Sequence, residues 1–215
     1  MRKLLTWLLD LIYPPKCVLC TKLLSKEEQE LCNNCRTQVR TVKGLIRRGN
    51  FFEHCCSVYY YEDPVASSVK RLKFGGREHY ARTFGKLLAQ RLLTEEQHFD
   101  AITWVPVSAP RKRKRGYDQA QLIALSVGRE LNIPVYATLK KVRHNPPQAQ
   151  ERDAAARKAN VLNAYMPVSP EQICGKRLLV VDDVITSGAT LSECCRILKM
   201  TGAESLICGT FAAKE

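Results

Sequence analysis

Leu178-Leu179-Val180-Val181-Asp182-Asp183-Val184-Ile185-Thr186-Ser187-Gly188-Ala189-Thr190 runs four aliphatic residues into two adjacent acids and then into small and hydroxylated residues. An aliphatic run without polar alternation is the pattern of a parallel strand buried on both faces. The two acids then fall at the C-terminal end of that strand, the edge at which open α/β sheets bind ligands. Thr186, Ser187, Gly188, Ala189 and Thr190 bring backbone N–H groups and hydroxyls to the start of a helix, a natural anion site. Carboxylates for sugar hydroxyls beside amides for a phosphate suit a phosphorylated sugar.

Working outward, 215 residues allow one full domain and a small module. Hydrophobic residues make up 45% and charged residues 26%, the balance of a globular protein. The charge is unusual: 34 Lys and Arg against 21 Asp and Glu leave a formal net charge of +13. Such an excess favours polyanionic partners, nucleic acid first and phosphorylated metabolites second. No repeats or low-complexity tracts interrupt the chain.

The opening residues MRKLLTWLLDLIYPP place Leu4, Leu5, Leu8, Leu11 and Ile12 on one helical face that Pro14 and Pro15 end. Thr6 and Asp10 break the apolar stretch, and no small-residue cleavage site follows. This reads as a docking helix, neither a secretion signal nor a membrane span. The ten cysteines are therefore expected in a reducing cytoplasm, where metal binding outranks disulfides.

Cys17-x2-Cys20 and Cys32-x2-Cys35 supply two knuckles of two thiolates each, the spacing of a closed, tetrahedral, structural Zn2+ site. So small a segment has no core of its own, so the metal is expected to stabilise it directly. Cys194 and Cys195 share helical spacing with Leu191 and Leu198 and read as core. His54, Cys55 and Cys56 lie near the finger, which already has four ligands.

Residues 1–40 thus form a leader helix and zinc finger, 41–57 a basic linker and 58–215 the main domain. In the latter, Ser57–Tyr61 opens a strand, and Asp63-Pro64 starts a helix with Val65, Val69 and Leu72 on its apolar face. A second helix is expected from about Glu78, then a strand over Ala101–Ser108 that ends in a loop. Arg111-Lys112-Arg113-Lys114-Arg115 follows, five cations that need solvent or an anion. Their position after a strand end makes pyrophosphate or a nucleic-acid backbone the better fit. Tyr117 beside them offers either a ring to stack on a base or a core contact at a helix start. Residues 138–165, long and basic, read as a functional loop or lid. Alternating strands and helices make the fold α/β with a parallel sheet.

In this combination the chain resembles the ComF family of competence-associated proteins over nearly its whole length. The resemblance rests on the Cys17/Cys20/Cys32/Cys35 finger, Lys70-x2-Lys73-Phe74-x-Gly76, Val105-Pro106-Val107-Ser108 and Arg115-Gly116-Tyr117-Asp118-Gln119. It continues through Gln148, Arg157 and Asn160-Val161 to Asp182–Thr190, which resembles the phosphoribosyl pyrophosphate (PRPP) signature of type I phosphoribosyltransferases. Three positions depart from the family pattern: Asp118 stands where Asn is common, Tyr165 where Phe is usual, and no Leu follows Gln148.

The resemblance implies a type I phosphoribosyltransferase-like sheet flanked by helices behind a small zinc module. It implies handling of single-stranded DNA in natural transformation, in the cytoplasm, with a DNA-translocating competence helicase as a candidate partner. Asp182 and Asp183 would hold the ribose hydroxyls of PRPP or a related ribose phosphate, directly or through Mg2+, and are the catalytic candidates. Thr186, Ser187, Gly188, Ala189 and Thr190 would take the 5′-phosphate, and Val107 and Ser108 the pyrophosphate. Lys70, Lys73, Arg111, Arg113, Arg115, Tyr117 and Arg157 are the candidates for DNA or pyrophosphate. The alternative is an active phosphoribosyltransferase with an unidentified acceptor, and a third reading is a PRPP sensor. A glutamine-hydrolysing activity is not expected, because Cys17, the first cysteine, belongs to the finger.

Overall fold

The computed structural model describes residues 14–46, 49–143 and 162–215; the leader helix, Arg157 and most of the expected lid lie outside the described residues. The main sheet has four parallel strands: β1 (Cys55–Tyr60), β2 (Ala101–Trp104), β5 (Arg177–Ile185) and β6 (Ser205–Ala213). Their order is β1-β6-β5-β2. A separate antiparallel pair, β3 (Leu139–Lys141) and β4 (Tyr165–Pro167), flanks the expected lid. The helices are α1 (Asn33–Gln38), α2 (Val65–Phe74), α3 (Tyr80–Thr94), α4 (Ala109–Arg115), α5 (Gln119–Leu131) and α6 (Ala189–Met200).

The unbroken aliphatic character of β5 is explained by two cores, one on each face. Leu179 and Val181 point to one, which also holds Leu88, Phe84 and Ile123 of α3 and α5. Leu178 and Val180 point to the other, with Leu191, Cys194, Cys195 and Leu198 of α6. The period of two along a strand then sends Asp183 toward the first face and Asp182 toward the second. Cys194 and Cys195 are wholly buried, as their helical spacing requires, and Cys195 Sγ lies 3.7 Å from Cys208 Sγ of β6.

Helix α3 packs closely on α5 because Gly85 leaves room for Ser126 at the crossing: a Cβ on Gly85 would stand 2.3 Å from Ser126 Cβ, and Ser126 Oγ donates to the Arg82 carbonyl at 2.8 Å. Residues 41–46 run antiparallel along the outer edge of β1, with Thr41 opposite Tyr59 and Ile46 opposite Cys55. The finger sits on α2: Ser68 Oγ donates to the Val18 carbonyl at 2.5 Å, and Arg71 donates to the carbonyls of Val18 and Leu19. Lys86 of α3 adds an ion pair to Glu30 at 2.6 Å.

Two expectations are corrected. The strand read over Ala101–Ser108 ends at Trp104, because Pro106 has no N–H for the ladder and the chain leaves the sheet there. The run Arg111–Arg115 is not a loop but most of α4. Pro110 in its first turn and the left-handed Gly116 (φ 88°) after its end frame it. Four cations in its last turn face the negative end of the helix dipole, which offsets part of their repulsion.

Candidate functional site

Parallel pairing of β2 with β5 sets Trp104 opposite Val181, and Val105 N–H donates to the Val181 carbonyl at 2.9 Å. The loop after β2 and the acids of β5 therefore emerge side by side at the C-terminal edge of the sheet. Asp183 is buried, with 3% exposure, and its carboxylate receives Lys73 Nζ from α2 at 2.6 Å. Burial opposes the charge on Lys73, but the Asp183 carboxylate outweighs it and holds the ammonium pKa above its usual value. Asp182, facing α6, accepts the Asp183 N–H at 2.8 Å. Burial, and then the neighbouring Asp183 carboxylate, push the Asp182 carboxyl well above the ordinary range.

Beyond Ile185 the chain turns at Gly188, whose φ of 76° is strained for any residue with a side chain, and α6 begins at Ala189. Thr186–Thr190 thus lie at the N-terminus of a helix that starts from the acid-bearing strand. The arrangement presents carboxylates and helix-terminal amides at one sheet edge.

The Val107–Ser108 loop is fixed by a residue that sequence reasoning noted only as a departure. Asp118 caps α5: its Oδ1 accepts the N–H groups of Ala120 and Gln121 at 3.1 and 3.3 Å. Its Oδ2 accepts Val107 N–H at 3.0 Å. An Asn offers only one accepting oxygen, so Asp at this position serves both the helix and the loop. The Val107 amide is thereby committed to Asp118, and Ser108 is buried as the residue before α4.

The cations divide by position. No side chain of α4 is buried: Arg113 is exposed, and Arg111 and Arg115 are partly exposed. Lys70 of α2 is exposed, whereas Lys73 is turned inward to Asp183. Tyr117 is a core residue, 8% exposed, and its hydroxyl donates to the Leu72 carbonyl at the end of α2. A ring so enclosed presents no face to a base, so of the two roles left open for it, packing is the one observed.

A cluster not singled out as a site lies over the Asp182 face. Lys141 of β3 donates to Tyr165 Oη at 3.2 Å, and its Nζ stands 5.0 Å from that ring. Burial and the nearby Arg111 guanidinium push the Lys141 pKa down. Tyr165 is 2% exposed, which pushes its phenol far up. The only hint in the sequence is the Tyr at a position usually Phe, whose added hydroxyl is what meets Lys141.

The finger brings the ligand atoms of Cys17, Cys20, Cys32 and Cys35 within 4.8 Å of one another, the one such group among the described residues. Cys20 and Cys32 Sγ are 3.6 Å apart. A tetrahedron with Zn–S bonds of about 2.3 Å has edges of about 3.8 Å, so the four sulfurs fit that ion. Cys32 is also the residue at which α1 starts, and Glu28 ties the two knuckles by accepting Ser25 N–H at 2.9 Å and Asn33 N–H at 2.6 Å. Burial and the surrounding thiols push the Cys35 thiol up, a repulsion that a bound cation removes. Among the described residues, no helix is long and apolar enough to cross a membrane.

Comparison with known proteins agrees with this architecture. A phosphoribosyl transferase domain model matches residues 114–215, and a double zinc ribbon domain model matches residues 8–46. Competence protein F of Haemophilus influenzae is 27% identical over 215 residues, covering 89% of this chain and 93% of that protein. DNA utilization protein YhgH of Salmonella typhimurium is 28% identical over 220 residues, covering 91% and 96%. Competence protein ComFC of Bacillus subtilis is 26% identical over 197 residues, covering 86% and 72%. The phosphoribosyltransferase-like sheet and the four-cysteine ribbon expected from the sequence are both present.

Two outcomes are expected. Purified protein should hold one zinc per chain, and a chelator or Cys32→Ser should release it and make the ribbon protease-sensitive; metal analysis that finds no bound zinc would refute this. The second concerns Asp182. A carboxyl whose pKa is raised on folding contributes stability below its unfolded value, roughly 4, that is lost as pH rises through the folded value. Asp182→Asn should therefore raise Tm by a few degrees at pH 8 and by less at pH 4. A shift independent of pH in scanning calorimetry would contradict it.

Proposed function

We propose that this chain, a member of the ComF family of competence and DNA-utilization proteins, handles single-stranded DNA beside a ribose-phosphate pocket. One observation carries the reading more than any other. Helix α4, with five cations and no buried side chain, leaves the same sheet edge that presents Asp182, Asp183 and the Gly188 turn. The names of the relatives, competence protein and DNA utilization protein, support a role in DNA uptake or use.

In this reading PRPP or a related ribose phosphate lies along the sheet edge. Asp182 and Asp183 hold its ribose hydroxyls, and Mg2+ bound with the ligand would supply charge neutralisation there. The amides and hydroxyls of Thr186–Thr190 take the 5′-phosphate, and the loop held by Asp118 lies against the pyrophosphate. Arg111, Arg113, Arg115 and Lys70 take phosphates of the DNA strand. A cytoplasmic setting keeps the ten thiols reduced.

The DNA reading is tested by fluorescence anisotropy of a labelled oligothymidylate over a range of salt concentrations. Each phosphate contact on a single strand contributes about −0.7 to the slope of log K against log salt. Arg111→Ala/Arg113→Ala/Arg115→Ala should flatten that slope by about 2. An unchanged slope would place the strand elsewhere.

Active phosphoribosyl transfer is a second reading, favoured by the paired carboxylates at the sheet edge. Loss of pyrophosphate leaves an oxocarbenium-like sugar, so positioning and charge stabilisation would dominate the chemistry. Pyrophosphate release from PRPP and Mg2+ should then require an acceptor and fall to background in Asp182→Asn/Asp183→Asn. Release that survives the double substitution would exclude this site as its source.

A further inference from the structure

Phe74, the last residue of α2, is 78% exposed. An apolar ring left in water at a helix end has a physical reason here. The helix stops at Gly75, where a Cβ would stand 2.8 Å from the Arg71 carbonyl oxygen, and Gly76 follows at φ +62°. The chain therefore turns away beneath the ring.

Nor is that helix end free to swing. The Tyr117 hydroxyl donates to the Leu72 carbonyl, and Lys73 Nζ is held by Asp183 at 2.6 Å. Phe74 is thus a fixed, outward ring one residue beyond a side chain that reaches the acid pair. Beside it stands Arg115 at the end of α4, its guanidinium carbon 5.3 Å from the ring centroid. Arg115 is in turn anchored by Gln119 Oε1. Lys112, Arg113 and Lys114 continue along the same short helix, all exposed.

Surfaces that bind single strands without sequence preference combine a cationic track for phosphates with aromatic faces on which bases stack. A cation beside the ring strengthens such stacking. We propose that Phe74, with Arg115 at its ring, is a stacking platform for a base of single-stranded DNA, the adjoining phosphates being held along α4. The proposal rests on the single-stranded DNA reading above and adds which part of the strand is gripped: the face of a base as well as its phosphates. Tyr117 is a positioning residue in this scheme, because it pins the end of α2.

The test uses the full chain, an oligothymidylate of about 12 nucleotides and a strand of equal length whose sugars lack bases. The two probes carry the same phosphates, so their difference isolates the base contribution. The wild-type protein should prefer the thymidylate by about tenfold. Phe74→Ala should lose that preference while keeping the wild-type salt slope, since the phosphate contacts remain. Phe74→Trp should restore it, with emission of the added indole quenched by the thymidylate and not by the abasic strand.

A preference retained in Phe74→Ala, or absent from the wild type, overturns the platform and leaves phosphate binding standing. Failure of the wild type to bind either strand overturns the DNA reading itself. Because Phe74 is exposed, its replacement leaves the core intact. An unchanged Tm for Phe74→Ala would confirm that its effect on binding is local.

Discussion

Two carboxylates on consecutive residues of a buried strand repel each other and lose hydration, and much of this structure follows from that constraint. The strand places them on opposite faces, which separates their surroundings at once. Asp183 receives an ammonium from α2 at 2.6 Å, while among the described residues Asp182 forms no such ion pair. The polar end of an otherwise aliphatic strand is thus ion-paired on one face, while on the other its carboxyl is held toward the neutral form.

Helix α2 links the parts of the molecule that the acids require. Its inward residues make its core contacts, Lys73 completes the acid pair, and Ser68 and Arg71 hold the ribbon through the Val18 and Leu19 carbonyls. Hydrogen bonds to peptide carbonyls depend on the backbone path of the ribbon, and that path depends on the knuckles around Cys17 and Cys32. The ribbon is therefore mechanically continuous, through α2, with the acid-bearing edge of the sheet. A second tie works from the opposite side, where Asp118 joins the start of α5 to the loop after β2.

Much of this was legible in the sequence for identifiable reasons. The run Leu178–Val181 has no polar alternation, so a doubly covered parallel strand was the simplest solution, and the acids had to fall at its end. The Cys-x2-Cys pairs fix their geometry within a few residues. What was not legible depends on long-range contacts. Nothing near Lys73 announces that it turns inward, because its partner lies more than a hundred residues away in sequence. Tyr117 was ambiguous, since an aromatic beside cations serves equally as a platform or as core until the position of Leu72 is known. The helical state of Arg111–Arg115 was hidden by its charge, which argues for a loop more strongly than Pro110 and Gly116 argue for caps. Lys141 and Tyr165 meet only because β3 and β4 pair across a long intervening segment.

The strip of chain between the ribbon and β1 has one further consequence. Residues 41–46 lie along β1, and Val135 makes a bridge to Ile102 at the opposite margin of the sheet. Both outer strands are thus shielded from pairing with a foreign chain, a hazard for any open sheet. On the β1 side the shield is tethered to the four-cysteine ribbon. Loss of an ion held by those four sulfurs would then do more than loosen a small module: it would free one end of the guard beside the peptide groups of β1. A ribbon loosened by loss of its metal would thus leave the β1 margin less guarded than the β2 margin, where the bridge from Val135 does not depend on the ribbon.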